Sequence, residues 1–239
     1  MPDTPTGFPR APERRRPEAE EIAIEVIYED QSVLVVNKPP GMVVHPTYKN
    51  WSGTLLSALL WRVRGRAGVV PSIITRLDKQ TSGLVLVALS PVIHARVQRD
   101  AAAGRVKKEY LAVVEGTPTP LADTIALPLA RCSEDRRRVV VTDSGQLSET
   151  RYEVISTSGG RSVVRCELVT GRTHQIRVHL AARGWPIVGD EVYGKPHPLV
   201  TRQALHAWRA TLSHPVTLEL LELEAPVPAD LHALLATPS

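Results

Sequence analysis

Asp78 is the first residue of this sequence whose surroundings suggest chemistry. It lies within TRLDKQTSGLVLVALS, residues 75–90, directly before an aliphatic run that predicts a buried strand. The cations Arg76 and Lys79 favour an ionised carboxylate, and Thr81 begins a tight turn with hydroxyl donors. Aspartate is common in turns, so Asp78 can equally be a turn-forming residue or a salt-bridge partner. Because reactive side chains tend to sit on loops held by a rigid strand, Asp78 is the first catalytic candidate.

A second candidate region is GRTHQIRVHLAARGWPIVGDEVYG, residues 171–194. It predicts a helix capped by Thr173, on which His174 and Arg177 are spaced to share one face. His174 and His179 have the wrong spacing for a helical zinc pair, and no carboxylate separates them. A polar helix face would explain the same pattern, so the sequence alone leaves both interpretations open.

The elements that position these candidates are mostly strands. Hydrophobic periodicity, capping residues and glycine stops predict helices at 54–65, from Ser90 to Gly104, from Thr173 to Gly184 and after Pro228. Strands are predicted on both sides of a polar turn at 29–32 and then at 84–89, 106–115, 138–142, 149–156, 161–169, 204–212 and 216–224. Because most strands follow one another directly, the sequence predicts an α+β protein with a mixed, mostly antiparallel sheet flanked by helices.

Length and composition predict one ordered domain. The chain has 239 residues, 43% of them hydrophobic, and no apolar run approaches the ~20 residues of a membrane helix. Residues 1–20 are rich in Pro, Arg and Glu, which predicts a disordered tail, with ordered structure from about Ile22. The N-terminus has no apolar core of a signal peptide, so we expect a cytoplasmic protein. Two cysteines, Cys132 and Cys166, are too few for a zinc site, and we predict no structural metal.

Basic residues concentrate in clusters. Most of the 29 basic residues are arginines, and they gather at 62–66, 105–110, 136–138 and 171–177. The planar guanidinium suits phosphate and stacks on bases, so this pattern favours a polyanionic partner such as nucleic acid. Each cluster taken alone is also consistent with a solvated surface. One Phe and five Tyr are too few for a platform that stacks several bases of a single strand.

The two candidate regions together closely resemble the main signatures of the RluA-type pseudouridine synthases, which isomerise uridine in RNA to pseudouridine. Four further stretches agree in order and spacing: VNKPPGMVVHP, KKEYLAVVEG, ETRYEV and LHAWRATLSHP, at 36–46, 107–116, 149–154 and 205–215. The resemblance spans about residues 22–228. It implies the pseudouridine synthase fold, with a bent mixed sheet, in one catalytic domain at 21–239. Many relatives carry an N-terminal S4-type RNA-binding domain, which we do not expect here because too few residues precede Ile22.

The resemblance also assigns roles to single residues. Asp78 aligns with the family's catalytic aspartate, Tyr110 with the tyrosine that stacks on the target base, and Arg177 with the arginine that pairs with the aspartate. Arg76 aligns with a residue that helps to fill the gap left by the extruded nucleotide. Thr75 departs from the family pattern, which usually has His there, and this bears on RNA contacts and target choice. Substrate contacts are implied for Lys38, Arg76, Leu77, Thr81, Gly171, Arg172, His174 and Gln175.

The expected function is the isomerisation of specific uridines in structured ribosomal or transfer RNA. An ionised Asp78 would act on an extruded uridine at C1′, at C6 or on a ribose proton. The reaction involves no redox change, so we expect no cofactor and no metal, with RNA as the partner of a monomeric enzyme that binds no membrane. The alternative is a non-catalytic RNA-binding or RNA-assembly factor on the same fold. A glycosidase would need a second carboxylate across the cleft, and neither 134–138 nor 189–190 offers an obvious acid.

Overall fold

The computed structural model describes residues 17–235. Its strands are β1 Glu25–Glu29, β2 Val33–Lys38, β3 Ser72–Ile73, β4 Ser82–Ala88, β5 Lys107–Glu115, β6 Ala122–Ala126, β7 Leu129–Arg131, β8 Val139–Val141, β9 Glu149–Ser158, β10 Arg161–Leu168, β11 Leu205–Ser213 and β12 Leu220–Glu224. Its helices are α1 Leu55–Arg62, α2 Pro91–Ala102, α3 Gln175–Ala182 and α4 Ala229–Leu235. The tail predicted at 1–20 falls mostly on residues 1–16, outside the described residues. Glu20 already contacts the fold, because its backbone N–H donates to the Ser57 carbonyl over 3.1 Å.

One large sheet organises the described part of the chain. Its main path runs in the order β1-β2-β4-β11-β5-β10-β9-β6, with β3 added to β4 and β12 added to β11. β4 and β11 are parallel, and the other pairs of this sheet are antiparallel. β7 and β8 form a separate two-stranded sheet. This topology confirms the predicted α+β class. Among residues 17–235, no helix is long and apolar enough to cross a membrane.

β4 carries the loop of Asp78 into the middle of the sheet. All of its residues are buried, and its side chains alternate between one apolar cluster that includes α1 and another that includes α2. Burial of each valine or leucine contributes about 1.5–3 kcal/mol, so the strand is firmly held. Gly83 packs against β11 so closely that a Cβ there would lie 2.1 Å from the Ala207 carbonyl oxygen. The end of β4 nearest to Asp78 is therefore fixed by both faces and by its neighbouring strand.

The helix starts show one difference from the sequence prediction. Ser90 caps α2, as predicted, and Thr54 caps α1 in the same way, each side chain accepting a backbone N–H of the first turn. Thr173 does not cap α3, and that prediction is wrong. His174 occupies the cap position with a φ of 55° and no side-chain cap hydrogen bond. The His174 ring makes its hydrogen bond elsewhere, in the candidate active site described next.

Candidate active site

Asp78 lies on the loop between β3 and β4 and lines a pocket together with residues of β5 and α3. Its side chain is 24% exposed, so the carboxylate can be reached from solvent. Asp78 Oδ2 accepts a hydrogen bond of 2.9 Å from Nη1 of Arg177. The Thr81 N–H donates to the Asp78 carbonyl oxygen over 3.1 Å, which closes the tight turn expected from the sequence. The structure thus holds Asp78 by its backbone and by one of its two carboxylate oxygens.

Arg177 connects Asp78 to a second carboxylate. Its Nε and Nη2 donate to Oδ2 and Oδ1 of Asp190 over 2.7 and 2.8 Å, which leaves Nη1 for Asp78. The Arg177 and Asp190 side chains are 6% and 0% exposed. Burial alone would lower the pKa of Arg177, but the hydrogen bonds and charge of Asp190, followed by those of Asp78, raise it. The site therefore holds a permanently charged guanidinium between two carboxylates.

Asp190 is fixed by the turn that follows Gly189. Its Oδ1 also accepts two backbone N–H groups of that turn, over 3.0 and 3.2 Å. Gly189 has a φ of +75°, and a Cβ there would lie 2.3 Å from the Arg202 carbonyl oxygen, so a larger residue would not fit. Burial would raise the pKa of Asp190, but the hydrogen bonds and charge of Arg177 lower it, so Asp190 is ionised. The Gly-Asp pair therefore orients Arg177.

His174 places an imidazole beside Asp78. Its Nε2 lies 3.8 Å from Asp78 Oδ1, and its Nδ1 shares a hydrogen bond of 2.9 Å with the Tyr193 hydroxyl. That hydroxyl also accepts the backbone N–H of Val139 in β8 over 2.8 Å, and the Tyr193 ring centroid lies 5.1 Å from the Arg177 guanidinium. Burial lowers the pKa of His174, although the charge of Asp78 opposes this shift. The imidazole is therefore neutral at neutral pH.

Tyr110 provides an aromatic surface in the same pocket. It lies within β5 and is 7% exposed. Burial raises the pKa of Tyr110, and the negative charge of Asp78 adds to this shift, so the phenol stays protonated. Leu168, Ile176 and Leu205 add aliphatic surface. The pocket thus combines one accessible carboxylate with an aromatic and aliphatic lining, which suits a planar base.

Most of the predicted site residues come together in this pocket. Asp78, Tyr110 and Arg177 line it with Arg76, Leu77, Thr81, Arg172, His174 and Gln175. Gly171 lies in a neighbouring cavity that Arg76 and Arg172 also line. His174 and Arg177, which were predicted to share a helix face, both approach Asp78.

Lys38, which was predicted to contact the substrate, does not line the pocket of Asp78. The side chain has no exposed surface, and Nζ donates to the carbonyls of Pro39, Met42 and Lys79 over 2.7, 3.0 and 3.2 Å. Burial, followed by the charge of Arg202, lowers the pKa of Lys38 to about 7. Because Lys79 directly follows Asp78, the hydrogen bond from Lys38 to the Lys79 carbonyl anchors the loop of Asp78.

Gln175 lines the pocket, but its amide is already engaged by the protein. Oε1 accepts hydrogen bonds from the Thr170 hydroxyl and the Arg172 N–H over 2.8 and 2.9 Å. Nε2 donates to the Glu149 carbonyl and the Thr150 hydroxyl over 2.9 and 3.0 Å. With these four hydrogen bonds, Gln175 fixes the segment before α3 against β9.

Asp190 and Tyr193 complete the site, and the sequence analysis did not identify them. Both belong to the GDEVYG segment, where Asp190 was considered only as the acid of a glycosidase. A usable signal was present, because a Gly-Asp pair that directly follows the apolar residues PIV indicates a buried carboxylate that needs a buried cation. Arg177 was the available cation.

The fold and the site together match one class of protein, the enzymes that isomerise uridine in RNA. The sequence profile of the family described as RNA pseudouridylate synthase matches residues 32–182. The chain belongs to this family. Its activity is therefore the isomerisation of uridine in RNA to pseudouridine, as the resemblance implied.

Individual relatives agree with this assignment. The chain is similar to "Ribosomal large subunit pseudouridine synthase D" of Zymomonas mobilis, with 38% identity over 233 residues that cover 91% of this chain and 73% of the relative. It is similar to the "Uncharacterized RNA pseudouridine synthase YlyB" of Bacillus subtilis, with 40% identity over 222 residues and the same two coverages, 91% and 73%.

Solved structures show the same fold. "Human RNA Pseudouridylate Synthase Domain Containing 4" superposes with a TM-score of 0.71 at 25% identity, covering 90% of this chain and 95% of that one. "Human RNA Pseudouridylate Synthase Domain Containing 1" gives a TM-score of 0.70 at 28% identity, with coverages of 89% and 86%. These comparisons confirm the pseudouridine synthase fold, and nothing in them favours the non-catalytic alternative.

Proposed function

We propose that this enzyme modifies specific uridines of large-subunit ribosomal RNA and that Asp78 is its catalytic carboxylate. The observation that carries the proposal is the 2.9 Å contact between Asp78 Oδ2 and Arg177 Nη1, in a pocket that also contains Tyr110. The choice of RNA is supported by relatives from Zymomonas mobilis, Nitrosomonas europaea and Pseudomonas aeruginosa, which are 38 or 39% identical and are named ribosomal large subunit pseudouridine synthase D.

The reaction exchanges one glycosidic bond for another within the same nucleotide. The N1–C1′ bond breaks, the uracil turns, the C5–C1′ bond forms, and the proton lost from C5 is balanced by one gained at N1. No electrons enter or leave, so the chemistry can be carried by groups of the pocket. Asp78 acts as nucleophile or base, and attack at C1′, attack at C6 and removal of a ribose proton all require its ionised form. Arg177 places its positive charge 2.9 Å from Oδ2 of that carboxylate.

Asp190 controls how Arg177 meets Asp78. Because Nε and Nη2 of Arg177 are taken by Asp190, only Nη1 reaches Asp78, and it binds Oδ2. Among the described residues, no hydrogen bond is made to Asp78 Oδ1, and the His174 ring nitrogen Nε2 lies 3.8 Å from it. A two-point pairing between Arg177 and Asp78 would cover both oxygens. We therefore assign Oδ1 as the reacting atom.

Tyr110 holds the extruded base in this proposal. Removing a uridine from its stack costs a few kilocalories per mole, and stacking on an aromatic side chain recovers about 1–3 kcal/mol. The protonated, buried phenol of Tyr110 and the aliphatic side chains of Leu77 and Leu205 offer the apolar faces for this contact. Asp78 lines the same pocket, so a base held there lies next to the carboxylate.

We also propose that residues 21–239 act as one catalytic domain and that the enzyme works as a monomer in the cytoplasm. The cytoplasm is supported by the proposed ribosomal substrate. Size-exclusion chromatography with light scattering should give the mass of one chain, and the mass of a dimer would contradict the monomer.

Pseudouridine mapping tests the choice of RNA. Total RNA from cells with and without the gene is treated with a carbodiimide that marks pseudouridine, and the stops of reverse transcription are compared. We expect one or more pseudouridines of large-subunit ribosomal RNA to disappear with the gene and to return with the wild-type gene only. Loss confined to transfer RNA would contradict the ribosomal substrate, and loss at no position would contradict the whole proposal.

A further inference from the structure

A second and larger cavity adjoins the pocket of Asp78. It has a volume of about 400 Å³ and lies between the β7–β8 sheet, the turn at 144–146 and the segment at 171–173. Arg76 and Arg172 line both cavities, so the two are neighbours that share a wall. Its volume is within the range of about 300–1,000 Å³ that small-molecule sites occupy, which is enough for a nucleotide.

Three arginines give this cavity its charge. Arg76, Arg131 and Arg172 line it, and all three are exposed. Among residues 17–235, none of them has a carboxylate within 4.0 Å. Unpaired guanidiniums that converge on one concave site attract phosphate.

The arginines of the large sheet provide a contrast. Arg151 lies 3.4 Å from Glu149, and Arg165 pairs with Glu153 and lies 3.7 Å from Glu109. Those side chains are neutralised by the protein itself. The cavity arginines are not, so their charge is available to a ligand.

The β7–β8 sheet is attached to the catalytic groups. Leu129 and Val139 pack with Val178 of α3 and with Tyr193, and the Val139 N–H donates to the Tyr193 hydroxyl over 2.8 Å. Tyr193 in turn contacts His174 beside Asp78. The β7–β8 sheet is therefore held in place by Tyr193, which also contacts His174 beside Asp78. A ligand bound against this sheet would lie close to the catalytic groups.

We propose that this cavity binds the nucleotide next to the target uridine, with its phosphate between Arg131 and Arg172. The proposal rests on the proposed action on RNA and adds a second nucleotide site beside the first. Arg76 stands at the shared wall and separates the extruded uridine from its neighbour. The site fixes which uridine enters the Asp78 pocket, because the neighbouring nucleotide must reach the cavity at the same time.

The test neutralises single phosphates of the substrate. An RNA hairpin that contains the uridine found by mapping, labelled with tritium at C5, is made as a series in which one phosphate at a time becomes an uncharged methylphosphonate. The ratio kcat/KM from tritium release is measured for the wild type, Arg131→Gln and Arg131→Lys. Arg96→Gln is the matched control, because Arg96 is an exposed arginine of α2 that lines neither cavity.

In the wild type, we expect one methylphosphonate next to the target to lower kcat/KM roughly tenfold, the effect of losing one charge-assisted contact. Arg131→Gln should lose roughly tenfold on unmodified RNA and nothing further at that one position, while it keeps the wild-type response at other positions. Arg131→Lys should recover part of the loss, and Arg96→Gln should match the wild type.

An Arg131→Gln enzyme with wild-type kcat/KM, or one that still responds to every methylphosphonate as the wild type does, would overturn the second nucleotide site. Neither result would affect the action on RNA, since tritium would still be released. Absence of tritium release by the wild type on any RNA would instead overturn the proposed catalytic function, and the second site with it.

Discussion

Two buried arginines, Arg177 and Arg202, lie on either side of the loop of Asp78. In both, Nε and Nη2 bind the two oxygens of an aspartate. Arg177 donates Nε and Nη2 to Asp190 over 2.7 and 2.8 Å. Arg202 donates the same two nitrogens to Asp230 of α4 over 2.6 and 3.0 Å. The two arginine side chains are 6% and 3% exposed, so both are almost fully buried.

The two arginines differ in the partner of their third nitrogen, Nη1. Nη1 of Arg177 donates to the Asp78 carboxylate, whereas Nη1 of Arg202 donates to the Gln80 carbonyl over 3.1 Å and to two carbonyls just before and within β11. A guanidinium that meets a carboxylate sets the charge of a reacting group. One that meets backbone carbonyls fixes the position of a loop. The comparison predicts that substitution of Arg177 sharply lowers the rate, whereas substitution of Arg202 lowers stability and leaves the rate of the folded enzyme nearly unchanged.

Among the substitutions that test this comparison, the largest effect is expected for Arg177→Ala, which removes the counter-charge of Asp78. The loss of a charged group aimed at a reacting centre costs about 10²–10³ in kcat. The measurement is kcat from tritium release. RNA affinity should fall much less than kcat.

Arg177→Lys sharpens this prediction. Lysine keeps the charge but loses the planar fork that binds Asp190 and Asp78 together, so it should restore only part of the activity. If Arg177→Ala and Arg177→Lys were equally inactive, the positive charge beside Asp78 would not be what the reaction requires of Arg177.

Asp190→Asn should have the next largest effect, on both properties at once. Removing one partner of a buried ion pair costs about 3 kcal/mol of unfolding free energy. We expect a fall in kcat of roughly tenfold, since Arg177 can then turn toward both oxygens of Asp78. Denaturant unfolding and tritium release measure the two quantities. An Asp190→Asn enzyme with wild-type kcat would show that Asp190 has no part in orienting Arg177.

The pH dependence of that stability loss has a defined sign. The pKa of Asp190 in the folded protein lies below its usual value of 3.8. Its stabilising contribution is therefore fully present above about pH 4 and disappears as the pH falls through the lowered value. The difference in unfolding free energy between the wild type and Asp190→Asn should shrink in that acidic range.

Arg202→Gln differs from Arg177→Ala because it should lower stability with little effect on the rate. We expect a loss of about 2–3 kcal/mol in unfolding free energy, because the buried charge and its hydrogen bonds to carbonyls are removed. The kcat of the folded enzyme should fall only a few fold. Asp230→Asn is the control, since its side chain is 42% exposed and its loss should cost about 1 kcal/mol or less. A large fall in kcat without loss of stability would break the distinction between the two arginines.

The smallest effect is expected for Arg62→Gln. The cluster at 62–66 was expected to bind phosphate, but Arg62 and Arg66 both pair with Glu29. We therefore expect RNA affinity and its salt dependence to change little for Arg62→Gln, and the salt slope to fall by about one for Arg136→Gln. Arg136 is exposed and, within the described residues, has no carboxylate partner. Equal salt slopes for the two variants would contradict this ranking of the clusters.

The elements with strong local signals could be predicted from the sequence. The aliphatic run of β4, the Ser90-Pro91 start of α2 and the strands from β8 to β12 lie close to their predicted positions. The predictions missed β3, β6 and β7. β3 and β7 are very short, and β6, ADTIA, is mostly exposed at the edge of the sheet, where it pairs with β9. Those strands depend on their partners and not on their own composition.

The candidate site was predicted in its parts but not in its connections. Asp78, Tyr110 and Arg177 were indicated by the resemblance, and the pocket contains all three. The role of Asp190 depends on its buried ion pair with Arg177 of α3, which residue spacing alone does not reveal. The burial of Lys38 depends on three carbonyls from two separate loops. Such contacts form only when distant parts of the chain pack together, so patterns in a single sequence do not predict them.

The most direct measurement of what Asp78 does is tritium release by Asp78→Asn from ribosomal RNA labelled at C5 of uridine, under single-turnover conditions with the enzyme in excess. The substitution keeps the size of the side chain and an oxygen acceptor for Arg177 Nη1, and it removes the charge that every route requires. We expect RNA binding and unfolding free energy close to those of the wild type, with no tritium released above background. Release above a few per cent of the wild-type rate would contradict the catalytic role of the Asp78 carboxylate.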